Sequence, residues 1–70
     1  MRKFNAKLTI GLKEQPQKTF KLYGLDYYND YGIDEQEVIE HFIYIASENG
    51  YDITGYLYDN DYMLEYSELN

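Results

Sequence analysis

The stretch from Ile33 to Gly50 constrains the fold most, because it specifies an amphipathic helix together with both of its ends. Asp34 stands at the N-cap position and Glu37 follows three residues later, which is the D-x-x-E pattern of a capping box. At the other end, Gly50 tolerates the left-handed backbone that closes many helices. The apolar residues between these ends share one face at 3.6 residues per turn: Val38, Ile39, Phe42, Ile43, Ile45 and Ala46. We therefore predict a helix with that face in the core and the opposite face in solvent.

Four other segments have the features of strands. Side chains alternate between apolar and polar over residues 2–13, 18–23, 51–58 and 62–67. Residues 24–32 are rich in Gly, Asp, Asn and Tyr and are predicted to form a loop. The first and last strands are expected to send these side chains into the core: Phe4, Ala6, Leu8, Ile10, Leu12, Tyr62, Leu64 and Tyr66. We predict one α+β domain over residues 1–70, a two-layer ββαββ fold with a four-stranded antiparallel sheet and one helix packed on one face.

Several function classes are disfavoured by what the sequence lacks. Cysteine is absent, which removes disulfides, thiolate chemistry and Cys-containing zinc motifs. A chain without an apolar leader or a long apolar run is expected to be cytoplasmic and to have no membrane partner. We find no nucleophile-base pair and no phosphate-binding Gly loop, so we predict a protein that is not an enzyme and has no catalytic residues, cofactor or metal. His41 is expected to be a solvated helix residue, and Asp59-x-Asp61 a hairpin turn.

Charge is distributed unevenly along the chain. Residues 1–21 hold all six basic residues and one acid, a net charge of +5, whereas residues 22–70 hold twelve acids and no Lys or Arg. The chain as a whole carries −7, so it is expected to repel nucleic acid and to attract a basic groove on another protein.

Tyrosine is the second unusual feature, with ten among seventy residues. Tyr is favoured at interfaces because it presents a rigid apolar ring with a polar tip. Tyr23, Tyr56 and Tyr58 are expected to point to the far face of the sheet, where they could pair two copies of the chain. The alternative is that a small domain uses Tyr only to cover its sheet.

Small, Cys-free, strongly acidic single domains with Tyr-Asp-rich surfaces resemble the inhibitors that phages and mobile elements carry against host nucleases, the anti-CRISPR and anti-restriction proteins that imitate DNA. The resemblance covers the composition and the acidic stretches from Asp26 to Glu40 and from Asp52 to Glu65. It implies a viral protein inhibitor that binds the basic nucleic-acid-binding groove of a host defence nuclease complex by charge mimicry.

The residues expected to contact that partner combine the acids with nearby tyrosines: Asp26, Tyr27, Tyr28, Asp30, Tyr31, Glu37, Glu40, Tyr44, Asp52, Asp59, Asp61 and Glu65. The alternative function is a small regulatory or accessory module that acts through a Tyr-rich dimer or partner interface. In that case the acidity serves only solubility.

Overall fold

In the computed structural model, which describes residues 3–14, 16–26 and 32–69, three strands and two helices are found. They are β1 (Lys3–Ile10), β2 (Lys18–Asp26), α1 (Glu35–Glu48), α2 (Thr54–Tyr58) and β3 (Tyr62–Leu69). The strands form one antiparallel sheet in the order β2-β1-β3, so the first strand is the central one. The α+β class is confirmed, but the prediction of a four-stranded ββαββ sheet with a single helix is wrong.

The difference arises at residues 51–58, where the predicted third strand is replaced by a turn and α2. Ile53 and Leu57 are four residues apart, a spacing that suits one face of a helical turn as well as alternate positions of a strand. The carboxylate of Asp52 accepts hydrogen bonds from the backbone N–H of Thr54 at 3.1 Å and from its hydroxyl at 2.6 Å. These hydrogen bonds form an Asx-turn, in which the chain changes direction before α2. Ile53, at the centre of this turn, is buried in the core.

The predicted hairpin of the first two strands is confirmed, with different ends. β1 ends at Ile10 because Gly11 adopts a φ of +69°, which leaves the extended conformation. Leu12 therefore lies outside the strand and is exposed, although the alternation predicted it in the core. Residue 2, where the predicted strand began, lies outside the described residues.

β2 runs to Asp26, three residues into the segment that was predicted to be a loop. The register between β1 and β2 shifts next to Asn5, so that one extra residue of β2 is accommodated as a bulge. Gly24 occupies this bulge with a φ of +67°, and its N–H donates to the side-chain oxygen of Asn5 at 3.0 Å. The rest of the predicted loop, residues 27–31, lies outside the described residues.

α1 confirms the predicted central helix and both of its caps. The Asp34 carboxylate accepts a hydrogen bond from the N–H of Glu37 at 3.3 Å. At the C-terminal end, Gly50 has a φ of +83°, and the N–H of Tyr51 donates to the carbonyl of Ala46 at 2.9 Å. This is the bonding pattern of a Schellman motif, so the chain leaves the helix in a defined direction.

The core lies between α1 and the sheet, with β1 at its centre. Its buried apolar residues are Phe4, Ala6, Leu8, Ile10, Val38, Phe42, Ala46 and Ile53. Tyr62 and Leu64 of β3 pack against this cluster, and the ring of Tyr66 meets the ring of Phe4 edge to face at 5.6 Å. The predicted core side of β3 is therefore confirmed, although Tyr66 keeps 37% of its surface exposed.

The opposite side of the sheet, here called the open face, carries the residues that alternate with the core positions. They are mostly polar: Lys3, Asn5, Lys7, Thr9, Thr19, Lys21, Tyr23, Met63, Glu65 and Ser67. The molecule thus has a sheet side that bears lysines and a helix side that bears acids.

Candidate partner-binding surface

The outward side of α1 presents three acids and one tyrosine in a single stripe, here called the acidic helix face: Glu37, Glu40, Tyr44 and Glu48. At 100° per residue these positions span an arc of about 80°. All four side chains are exposed, and Tyr44 keeps 65% of its surface in solvent. They are held outward because Val38, Phe42 and Ala46 on the other side of the same helix are buried in the core.

The spacing of the carboxylates in this stripe can be compared with the spacing of the phosphate charges along a nucleic-acid backbone. At 1.5 Å of rise per residue, the axis advances about 16 Å from Glu37 to Glu48. Three carboxylates over that length are separated by two intervals, so their mean axial spacing is about 8 Å, against about 3.4 Å between the charges along a DNA strand. The stripe is therefore a sparser row of negative charge than one DNA strand, with an aromatic ring of Tyr44 between its last two charges.

The segment that contains α1 and α2 has no Lys or Arg of its own to compensate its acids. Residues 32–61 contain eight acids and no Lys or Arg. His41 is the basic residue on α1, and its Nε2 lies 4.0 Å from Oε1 of Glu37. Among the described residues, neither Glu40 nor Glu48 forms an ion pair with Lys or Arg. Within the part of the chain that the structure describes, no Lys or Arg thus relieves the repulsion between these carboxylates of α1.

Two other predicted partner-binding acids are compensated, in contrast to those of the acidic helix face. Asp26 at the end of β2 forms an ion pair with Lys3 at 2.9 Å, and Glu65 on the open face lies 3.5 Å from the amine of Lys7. These pairs are half-exposed, so each contributes little to stability, at most about 1 kcal/mol. Their charge is nevertheless neutralised locally, and the structure does not bring Glu65 together with α1.

The acids around α2 have mainly structural environments. Hydrogen bonds from the hydroxyl and the N–H of Thr54 lower the pKa of Asp52. The carboxylate of Asp61 accepts a hydrogen bond from the N–H of Leu12 at 2.9 Å and so fixes the turn after β1. Asp59 follows α2 directly and is exposed. The predicted hairpin turn at Asp59-x-Asp61 is a helix-to-strand turn instead.

A cavity of about 250 Å³ lies beside the N-terminal end of α1. It brings two predicted partner-binding residues together, since Asp26 and Glu37 both line it, and Asp34 and His41 line it as well. Tyr27, Tyr28, Asp30 and Tyr31 were predicted to belong to the same surface, but they lie outside the described residues. Their role stays a prediction.

The tyrosines predicted to form a dimer patch do not share a surface. Tyr23 does project from the open face, with 70% of its surface exposed, but Tyr58 lies on α2 and is 88% exposed. Tyr56, also on α2, donates its hydroxyl to Glu14 at 3.2 Å, and the charge of Glu14 raises the pKa of Tyr56. The expectation that all three point to the far face of the sheet is wrong, because residues 54–58 are helical.

Glu48 is the one member of the acidic helix face that sequence reasoning missed as a partner-binding residue. It follows Tyr44 by four positions and therefore lies on the same side of the helix. The same 3.6-residue period that identified the buried face of α1 would have found it.

The described part of the chain shows no group of three or more His, Cys, Asp or Glu side chains placed to hold a metal ion. None of the described helices is long and apolar enough to cross a membrane. No protein-family model, curated protein or solved structure matches the chain. A functional assignment therefore rests on the surface itself.

Proposed function

We propose that this chain is a non-enzymatic protein inhibitor that acts in the cytoplasm and binds the basic, nucleic-acid-binding groove of a host defence nuclease complex. The acidic helix face is the contact surface, and it imitates the negative charge of the nucleic acid. The composition resembles that of anti-CRISPR and anti-restriction proteins, which supports the choice of a nuclease as the partner.

The observation that carries the proposal is the contrast between two groups of acids. Asp26 and Glu65 each have a lysine partner within the domain, whereas Glu40 and Glu48 have none in the part of the chain described. Unrelieved like charge on one helix costs stability, because i, i+4 Glu-Lys pairs would ordinarily favour the helix by a few tenths of a kcal/mol each. A basic partner groove supplies the missing cations.

The two kinds of residue in the stripe have different tasks in this proposal. The carboxylates raise the rate of encounter with a basic groove, an effect that salt screens over a Debye length of about 8 Å at physiological ionic strength. The ring of Tyr44 can stack on Arg or cover the aliphatic stem of Lys at short range. Association should therefore be fast at low salt and slow markedly as salt is added.

The test compares two double variants of equal charge. Glu37→Gln with Glu40→Gln removes two charges from the acidic helix face, and Asp26→Asn with Glu65→Gln removes two charges that have lysine partners. Each variant changes the net charge from −7 to −5 and keeps the side-chain shapes. The partner is captured from a bacterial lysate on the immobilised parent protein and purified, and its association rate with each variant is measured at several salt concentrations.

We expect the variant of the acidic helix face to associate several-fold more slowly and with a weaker dependence on salt, whereas the sheet variant binds as the parent does. Circular dichroism confirms that both variants are folded. Equal behaviour of the two variants would contradict the proposal, because net charge rather than the acidic helix face would then govern binding.

A further inference from the structure

Over Tyr62–Tyr66, the outer edge of β3 has no neighbouring strand among the described residues. β3 pairs with β1 over all eight residues without a register shift and, among the described elements, has no strand on its other side. The N–H of Gly11 donates to the carbonyl of Asp61, which makes these two opposite residues a hydrogen-bonded pair. Because such pairs alternate along an antiparallel ladder, Tyr62, Leu64 and Tyr66 direct their N–H and C=O groups away from β1 and toward the edge.

The two edges of the sheet differ in the devices that prevent strand pairing. Monomeric proteins protect their edges with lysine, proline or a bulge. β2 has Lys18 and Lys21, a bulge at Gly24, and Pro16 just before it. β3 has no lysine, arginine, proline or bulge, and it is long and regular. Its charged residues are Glu65, which lies 3.5 Å from the amine of Lys7 on the neighbouring strand, and Glu68. The edge of β3 is therefore the less protected of the two and the better suited to accept another strand.

We propose that β3 pairs with β3 of a second copy of the chain, antiparallel and around a two-fold axis at Leu64. The sheets of the two copies then form one continuous six-stranded sheet. In this register Leu64 faces Leu64 of the second copy, Tyr62 faces Tyr66, and Met63 faces Glu65. About six backbone hydrogen bonds form, two for each of three bonded pairs.

Neighbouring registers are less favourable for reasons of charge and bonding. A shift by two residues toward the C-terminal end adds one bonded pair, but it brings the like charges of Glu65 and Glu65 of the second copy opposite each other, in a site where Cα atoms are about 4.5 Å apart. A shift in the other direction loses one bonded pair. Shifts by a single residue turn the core side of one strand to the open face of the other.

The pairing predicts a salt dependence opposite to that of partner binding. Because the two-fold axis is perpendicular to the sheet, both copies of α1 lie on the same side and their acidic helix faces add to one another. Each copy carries −7, and no ion pair crosses the proposed interface, so salt should strengthen the dimer by screening repulsion. The inference does not rest on the proposed function and is tested without a partner protein.

Sedimentation tests the edge with a matched pair of substitutions. We expect the parent to approach twice the 8.4 kDa mass of one chain as protein concentration rises, and to do so at lower concentration in high salt. Tyr66→Lys places a charge at the proposed interface and should keep the protein monomeric, whereas Tyr23→Lys on the other edge should dimerise as the parent does. A parent that stays monomeric at all concentrations, or equal dimerisation of both variants, would overturn the inference.

Cross-linking tests the register and does not depend on Tyr66, which also packs on Phe4. The chain has no cysteine, so a single introduced thiol is unique. Leu64→Cys places two thiols on the two-fold axis at a Cα separation of about 5.5 Å, which suits a disulfide. We expect its oxidation to a covalent dimer to be several-fold faster than that of Glu65→Cys or Tyr23→Cys. A faster reaction of either control would refute the proposed pairing.

Discussion

The same substitution, glycine to alanine, should have opposite effects at two positions of this domain. Gly24 adopts a φ of +67° in the bulge of β2, whereas Gly55 lies within α2 and has no positive φ. A Cβ atom added at either position would meet no atom within 4 Å. Backbone conformation alone therefore separates the two variants, since neither gains nor loses a side-chain contact.

The magnitudes follow from the cost of the left-handed conformation and from helix propensity. Gly24→Ala should lower the free energy of unfolding by about 1 to 2 kcal/mol, the cost of holding an L-residue in that region. Gly55→Ala should raise it by about 0.5 to 1 kcal/mol, because alanine loses less backbone entropy on folding. For a domain of this size 1 kcal/mol shifts the melting temperature by roughly 4 to 8 °C. The expected shifts are thus about −4 to −16 °C and +2 to +8 °C.

Thermal unfolding followed by circular dichroism measures both variants against the parent at equal protein concentration. The two variants have identical composition, so differences in charge or hydrophobicity cannot produce a difference between them. A Gly24→Ala variant as stable as the parent would refute the bulge at this position. Destabilisation by Gly55→Ala would refute the helical conformation of α2.

Three further predictions concern the core, the cap and the tyrosines. Phe42→Ala should lower the free energy of unfolding by about 3 to 5 kcal/mol because Phe42 is fully buried, whereas Tyr44→Ala should change it by no more than about 0.5 kcal/mol; equal urea midpoints would remove Phe42 from the core. Asp34→Ala should cost about 0.5 to 2 kcal/mol through loss of the N-cap, with Asp34→Asn close to the parent; a loss in the asparagine variant as large as that in alanine would argue against capping. Burial and the charge of Glu35 raise the pKa of Tyr66 to about 12 from 10.0, so its contribution to stability is complete below pH 10 and is lost as pH rises toward 12. Urea midpoints of Tyr66→Phe should fall less over that range than those of the parent, and parallel declines would contradict the assignment.

The elements that were predicted correctly are those whose local signals agree with one another. α1 has an N-cap, an apolar face and a C-terminal glycine that all specify the same boundaries, and the structure places Asp34 and Gly50 at those ends. The alternation of β1 is also strong because its core side is buried as the central strand of the sheet. The alternation of apolar and polar residues predicts a strand reliably where one side of that strand is buried at the centre of the sheet.

The predicted third strand, over residues 51–58, is wrong because its signal was ambiguous. Ile53 and Leu57 satisfy both a strand and a helical turn, and the short-range hydrogen bonds of Asp52 favoured the turn. The order of strands in the sheet depends on long-range packing, for which the sequence of one chain contains no local signal. The acidic charge of α1 could be predicted, because the sequence has no Lys or Arg after residue 21 and the helical period places its acids on one side of the helix.

The open face and the edge of β3 illustrate the same limit. Sequence reasoning assigned three tyrosines to a dimer surface through a strand that does not exist, and the structure separates them. The edge of β3 became recognisable only when β1 was placed in the centre of the sheet. Strand order therefore determines which strands lie at the edges of the sheet.

Competition for one site on the partner tests the central proposal, charge mimicry, most directly. The captured partner is loaded with fluorescently labelled DNA or RNA, and this protein is titrated in while the anisotropy of the label is followed. The proposal predicts that nucleic acid is displaced, that each ligand weakens the apparent affinity of the other, and that the Glu37→Gln, Glu40→Gln variant displaces it less effectively. A stable complex that holds the partner, the nucleic acid and this protein together, with neither ligand weakening the other, would contradict mimicry.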